Sequence, residues 1–222
     1  MAFQTPIIVT NFKTYQQSTG ANAVELAKIH ERVANELGIN IAISGQALDL
    51  AMLAAGVSIP VLAQHIDGVG YGANTGHIPA EIAHGMGVDG SLLNHSERRI
   101  SDTQIMRALE DMKEMGMLSV VCAETVTEGK KFADMGADFI AVEPPELIGG
   151  DISVSTANPE LIEEAVKVIG EGKVLVGAGV KNGEDVRIAL ELGAVGILVA
   201  SGVIKVDDPA EALRDLASGM KV

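Results

Sequence analysis

The chain has 222 residues, 47% of them hydrophobic, with a formal net charge of −14 and a pI near 4.7. No basic stretch offsets that acidity, which argues against nucleic acid or an anionic membrane surface as the main partner, and an anionic ligand would need a local electropositive pocket. A single cysteine, Cys122, rules out an internal disulfide, and a start at Met1 to Pro6 without a basic or apolar leader pattern points to a cytoplasmic protein built as one domain over residues 1–222.

The first apolar strand is Ile7-Ile8-Val9. After it one unit recurs: a helix ends near a glycine, and an apolar strand follows within a few residues. Gly38 precedes the run 39–43, Gly56 precedes 61–63, Gly87 precedes 92–93 and Gly116 precedes 118–121. Gly136 precedes 139–142, Gly170 precedes 173–176 and Gly193 precedes 197–199. Each glycine suits the left-handed turn that ends a helix.

The segments between strands read as amphipathic helices. Val24, Ala27, Val33 and Ala34 recur on one face of 21–37. Asp102 reads as the N-cap of a helix over 103–115, Asn158-Pro159 as a cap followed by proline at the first helical position, and Asp208-Pro209 as a repeat of that start. The weakly charged run 50–66 is interrupted by Gly56, Pro60, Gln64 and His65, so it reads as helix plus strand rather than a membrane span. Strand–helix alternation implies parallel strands joined by crossovers and buried on both faces. Eight such units predict a single-domain α/β fold, a (β/α)8 barrel, rather than an open doubly wound sheet.

A barrel of this kind concentrates chemistry in the loops that follow its strands. Strand one exits into Asn11-Phe12-Lys13, where Lys13 supplies the cation that an acidic protein needs for an anionic substrate. Strand four exits into Asn94-His95-Ser96-Glu97-Arg98-Arg99. A lone histidine is more often a satisfied rim residue than a catalyst. Here a short helix starting at His95 would aim N–H groups at the imidazole and keep it neutral, with Glu97 pairing Lys13 across the mouth.

Strand six exits at Glu143, then Pro144-Pro145-Glu146-Leu147-Ile148-Gly149-Gly150-Asp151. A carboxylate at a strand end, followed by a stiff entrance, an apolar tip and a Gly-Gly exit, predicts a base under a lid. Strands seven and eight exit into Gly177-Ala178-Gly179 and Ala200-Ser201-Gly202. Small residues at the last two exits fit a phosphate cradle, with 201–204 as a short extra helix. Cys122 reads as a packed thiol. The remaining histidines lack metal-ligand spacing, and no metal is expected.

The exits of strands one, four, six and seven resemble the signatures of the triosephosphate isomerase family over essentially the whole chain, and the short length and the Glu-Pro-Pro-Glu-Leu-Ile form resemble its archaeal branch. The resemblance implies a cofactor-independent isomerase of glycolysis and gluconeogenesis. Glu143 would be the base, His95 the neutral electrophile, and Lys13 and Asn11 the groups that stabilise the enediolate and position a small phosphorylated triose. Backbone groups at Ile148, Gly149, Gly179, Ala200 and Ser201 would hold the phosphate. Residues 71–78 resemble the family's third loop, which reaches into a neighbouring subunit, so a homo-oligomer, dimer or tetramer, is implied. One departure stands out: the family's lid runs Ile-Gly-Thr-Gly, and this chain has Ile148-Gly149-Gly150-Asp151, which implies looser closure. Two other readings share parts of the pattern. Another phosphosugar barrel enzyme would keep the cradle without the Lys-His-Glu set, and a barrel that binds phosphate ligands or proteins without catalysis would not need that set.

Overall fold

The structure, a computed structural model, describes residues 3–143 and 159–220. Eight parallel strands close into a barrel in sequence order: β1 (Ile7–Asn11), β2 (Asn40–Gly45), β3 (Val61–Ala63), β4 (Gly90–Leu93), β5 (Leu118–Ala123), β6 (Phe139–Val142), β7 (Val174–Val176) and β8 (Gly196–Val199). Closure is the pairing of β1 with both β2 and β8, so that Ile7 lies beside Asn40 on one side and Gly196 on the other. The expected barrel is the observed one.

Helices cover the outside: α1 (Ala21–Leu37), α2 (Leu50–Gly56), α3 (Ala80–Gly85), α4 (Asp102–Glu114), α5 (Val126–Asp134), α6 (Pro159–Ile169), α7 (Gly183–Glu191), α8 (Ser201–Ile204) and α9 (Pro209–Ser218). Strand side chains alternate between two cores. Ile7, Val9, Leu62, Leu92, Val120, Cys122, Ala141, Leu175 and Leu198 fill the barrel interior. Ile8, Ile43, Leu93, Val121, Ile140 and Ile197 point outward and pack beneath the helices. Burial on both faces is why the strands read as continuous apolar runs.

Three local expectations change. Helix α4 is capped by Ser101, not Asp102: the Ser101 hydroxyl accepts from the Gln104 N–H, and the Gln104 side chain accepts from the Ser101 N–H. This reciprocal capping box leaves Asp102 in the first turn, where a carboxylate favours the helix dipole. Helix α2 ends without a left-handed residue, since it runs through Gly56 into an extended Val57. Gly56 serves packing instead: a Cβ there would lie 3.3 Å from the Val24 side chain of α1. On α1 the buried stripe is Ala23, Leu26, Ala27, His30, Val33 and Ala34, so His30 is a core residue and Val24 only half-buried. The Asp208 cap is as expected, with its carboxylate accepting from Glu211 N–H and Pro209 opening α9. Asn158 lies outside the described residues. Among the described residues no helix is long and apolar enough to cross a membrane.

Candidate active site

Asn11 ends β1 almost fully buried, and its side-chain oxygen accepts from the Lys13 N–H at 3.0 Å. That bond accompanies a left-handed backbone at Lys13, φ 48°, uncommon for a residue other than glycine. Gln64, the residue after β3, holds the turn from the other side: its amide nitrogen lies 2.9 Å from the Lys13 carbonyl, 3.2 Å from Asn11 Oδ1 and 3.3 Å from the Ser44 carbonyl. The Lys13 ammonium then reaches Glu97 Oε1 at 2.8 Å, the pairing the sequence suggests. With Glu97 largely exposed, this pair contributes about 0–1 kcal/mol to stability. Its effect is to aim the ammonium over the mouth of the barrel.

His95 is 9% exposed. The residues after it form a turn, with the Arg98 N–H on the His95 carbonyl, and not the expected helix. The Ile100 N–H goes to Asn94 Oδ1 rather than to a carbonyl four residues back, and the Arg99 guanidinium pairs with Glu124 and Glu128. One backbone N–H still reaches the ring: Glu97 N–H donates to Nδ1 at 3.1 Å. A nitrogen that accepts carries no proton, so the neutral ring is protonated on Nε2. Burial first, and then the nearby Lys13 charge, hold the imidazole pKa below its ordinary value, with Glu97 pulling the other way. The neutral form is therefore the one present near pH 7.

Glu143 leaves the end of β6 with its N–H on the Ala123 carbonyl at 2.8 Å. It is 5% exposed, and burial pushes its pKa up to about 7, while the Cys122 thiol and Lys13 pull it down. Cys122 is thus more than a packed thiol, because it sits against this carboxyl from inside the barrel. Glu143 Oε1 stands 3.7 Å from His95 Nε2, too far for a direct hydrogen bond. Oε2 is buried without a hydrogen-bond partner among the described residues.

Room for Glu143 comes from the next strand exit. A Cβ on Gly177 would meet Glu143 Cγ at 2.5 Å. Gly177→Ala should therefore displace the carboxylate and lower kcat by roughly a hundredfold, the cost of about 1 Å of misplacement. Steady-state kinetics check this, and an unchanged kcat would show that the carboxylate has a second productive position.

Gly179 has φ 73°, and Ala200 caps α8, whose first residue is Ser201. The Val203 and Ile204 N–H groups close onto the Ala200 carbonyl, and the first N–H groups of a helix have no acceptor within it. Asn11, Lys13, His95, Glu143, Gly179, Ala200 and Ser201 all line one cleft of about 330 Å³. Ile148, Gly149 and the rest of the lid, including Gly150 and Asp151, lie outside the described residues. Tyr15 also lines the cleft, and its ring lies 4.2 Å from the Lys205 ammonium beyond α8. Gln64 and Tyr15 are absent from the sequence-based site, although Gln64 carries a usable signal: it too is a polar residue at a strand exit.

A closed parallel barrel with a carboxylate, a neutral imidazole and an ammonium at the mouth of one cleft defines the class, a (β/α)8 barrel equipped for acid–base chemistry. A family model described as triosephosphate isomerase matches residues 6–218. A triosephosphate isomerase of Methanothermobacter thermautotrophicus is 50% identical over 218 residues, 96% of this chain and 95% of that one. Those of Methanocaldococcus jannaschii and Methanothermus fervidus are each 47% identical, over 95% and 97% of this chain and 98% and 99% of theirs. The chain belongs to the triosephosphate isomerase family, and its relatives in methanogenic archaea agree with the archaeal resemblance.

Proposed function

We propose that this barrel interconverts dihydroxyacetone phosphate and D-glyceraldehyde 3-phosphate through an enediolate held between Glu143 and His95. The ionised Glu143 takes a proton from the carbon beside the carbonyl. The electron pair moves into the carbon–carbon bond, and charge develops on the carbonyl oxygen. His95 Nε2–H donates to that oxygen, and the Lys13 ammonium adds positive field in a site of low dielectric. The protonated Glu143 then returns its proton to the neighbouring carbon, and the hydroxyl proton passes between the two oxygens. The chemistry is proton transfer among side chains and calls on no cofactor. Asn11 positions Lys13, while N–H groups at Gly179, Ala200 and Ser201, with Ile148 and Gly149 from the lid, receive the phosphate. The observation that carries this reading is the 3.7 Å gap between a raised-pKa carboxyl and a neutral Nε2–H donor.

The test is a coupled assay of the isomerisation across pH. Because Glu143 must be ionised and titrates at about 7, kcat/KM should rise with pH up to about 7 and level off above it. Burial and the Lys13 charge hold the His95 pKa below its ordinary value, so the imidazole adds no limb near pH 7 and above. A protein that turns over neither triose phosphate defeats the reading, and a profile flat from about pH 5 to pH 8 removes Glu143 from the role of base.

One domain over residues 1–222 in the cytoplasm is our reading of the whole chain, and a homo-oligomer is its assembled form. The loop after β3 supports assembly. Asp67 fastens its base, pairing with Ile78 in both directions and with His65, while Tyr71 near the tip is 76% exposed. Leu48, Met52, Ile82 and Met86 are exposed as well. Light scattering that finds only a 23.1 kDa species would refute assembly.

A further inference from the structure

Two residues other than glycine have a left-handed backbone among the described residues, Lys13 and Asn94, and each directly adjoins or forms part of the site. Lys13 is held by Asn11 and Gln64. Asn94 holds itself. It is 2% exposed, with φ 58°, and its amide makes two bonds in opposite directions. Nδ2 donates to the Cys122 carbonyl on β5 at 3.0 Å, and Oδ1 accepts the Ile100 N–H at 3.1 Å. Its own carbonyl accepts from Arg99 Nη1 at 3.3 Å. An apolar side chain here would fill the space but leave the Cys122 carbonyl and the Ile100 N–H without these bonds.

The partner on β5 gives the amide a purpose. The Cys122 carbonyl holds the loop that carries His95, and the next carbonyl along the same strand, that of Ala123, accepts the Glu143 N–H at 2.8 Å. Consecutive carbonyls of one rigid strand therefore locate the two groups between which the substrate would lie. We infer that Asn94 is a positioning residue: its amide bond to the Cys122 carbonyl sets the separation of His95 Nε2 from the Glu143 carboxylate. The left-handed backbone at Asn94 turns the chain so that His95 leaves the strand end towards the cleft, and asparagine tolerates that conformation better than most side chains. Without the tie, the imidazole loop keeps its connection to Ile100 and Arg99 but loses its reference to the base. This inference rests on the assignment of His95 and Glu143 under the proposed function.

Two variants test it. Asn94→Gly accepts φ 58° without strain and removes both side-chain bonds. Asn94→Asp keeps an acceptor for the Ile100 N–H and cannot donate to the Cys122 carbonyl. Each should lower kcat tenfold or more, with KM within about twofold, because positioning of reacting groups is felt in the transition state while phosphate binding is not. Affinity for a phosphate-bearing enediolate mimic should fall in step with kcat, and affinity for inorganic phosphate should stay unchanged. A wild-type kcat in either variant overturns the inference, even if the melting temperature falls, since a purely structural amide would move stability alone. If one variant does not fold, the other decides. His95→Gln, assayed alongside, separates the two levels: a wild-type rate there defeats the assignment of His95, whereas an impaired His95→Gln beside a wild-type Asn94→Gly defeats only the tie.

Discussion

Glu143→Gln should lower kcat about a thousandfold, the share that a positioned base supplies in proton abstraction. The substitution keeps nearly the same shape and removes the ionisable group, so KM should change little and a phosphate-bearing inhibitor should still bind. A wild-type rate would remove Glu143 from its assigned role. Stability offers a second readout with a definite sign. Folding raises the Glu143 pKa from about 4.5 to about 7, so between those values the folded chain holds a proton that the unfolded chain has released. Stability from this group is therefore present at low pH and is lost as pH rises through about 7. His30 has the opposite slope: buried and neutral, its pKa is lowered to about 4, so it costs stability as pH falls below its ordinary value. Replacing Glu143 removes the first slope and leaves the second. At alkaline pH the glutamine variant should melt at or above the wild type. An enzyme that gains stability when it loses its base is one whose site holds a charge in a place built to exclude water.

Lys13→Met should cost a hundredfold or more in kcat/KM, comparable to removing one donor from an oxyanion site. The chain has a formal net charge of −14, and the Lys13 charge acts on both His95 and Glu143, so methionine removes that field while keeping much of the length and apolar stem. The loss should not be a folding defect, because the Lys13–Glu97 pair is partly exposed and contributes about 0–1 kcal/mol. The pH profile should move as well. The Lys13 charge lowers the pKa of Glu143, so without it the acid limb of kcat/KM should shift to higher pH. Lys13 also lowers the pKa of His95, so the imidazole should protonate more readily in the variant. A variant with unaltered kinetics would show that the backbone N–H groups at the last two strand exits supply the positive field by themselves. A lower rate with an unshifted limb would show that Lys13 acts on bound substrate and not on the base.

Much of this protein is legible in one dimension. Apolar runs at regular intervals, a glycine after most helices, and Asp208 before Pro209 are local signals, set by burial and by backbone sterics within a few residues. They suffice for a parallel barrel, and the rule that chemistry sits at strand exits then singles out Asn11, Lys13, His95, Glu143, Gly179, Ala200 and Ser201, which meet in one cleft. What periodicity cannot carry is contact across the barrel. Lys13 and Glu97 are 84 residues apart, Gln64 and Lys13 51, and Asn94 and Cys122 28. Lys13–Glu97 and Gln64–Lys13 join the exit of β1 to the exits of β4 and β3, which the barrel gathers at one mouth, and Asn94–Cys122 ties the end of β4 to its neighbour β5. The pairing of β6 with β5 and β7 presses Glu143 against Cys122 and Gly177, and burial there, not the side chain's own chemistry, moves its pKa to about 7. A residue's type and its place in the order of elements are written locally, while its protonation state, its aim and its neighbours follow from low-dielectric packing that no short stretch of chain contains.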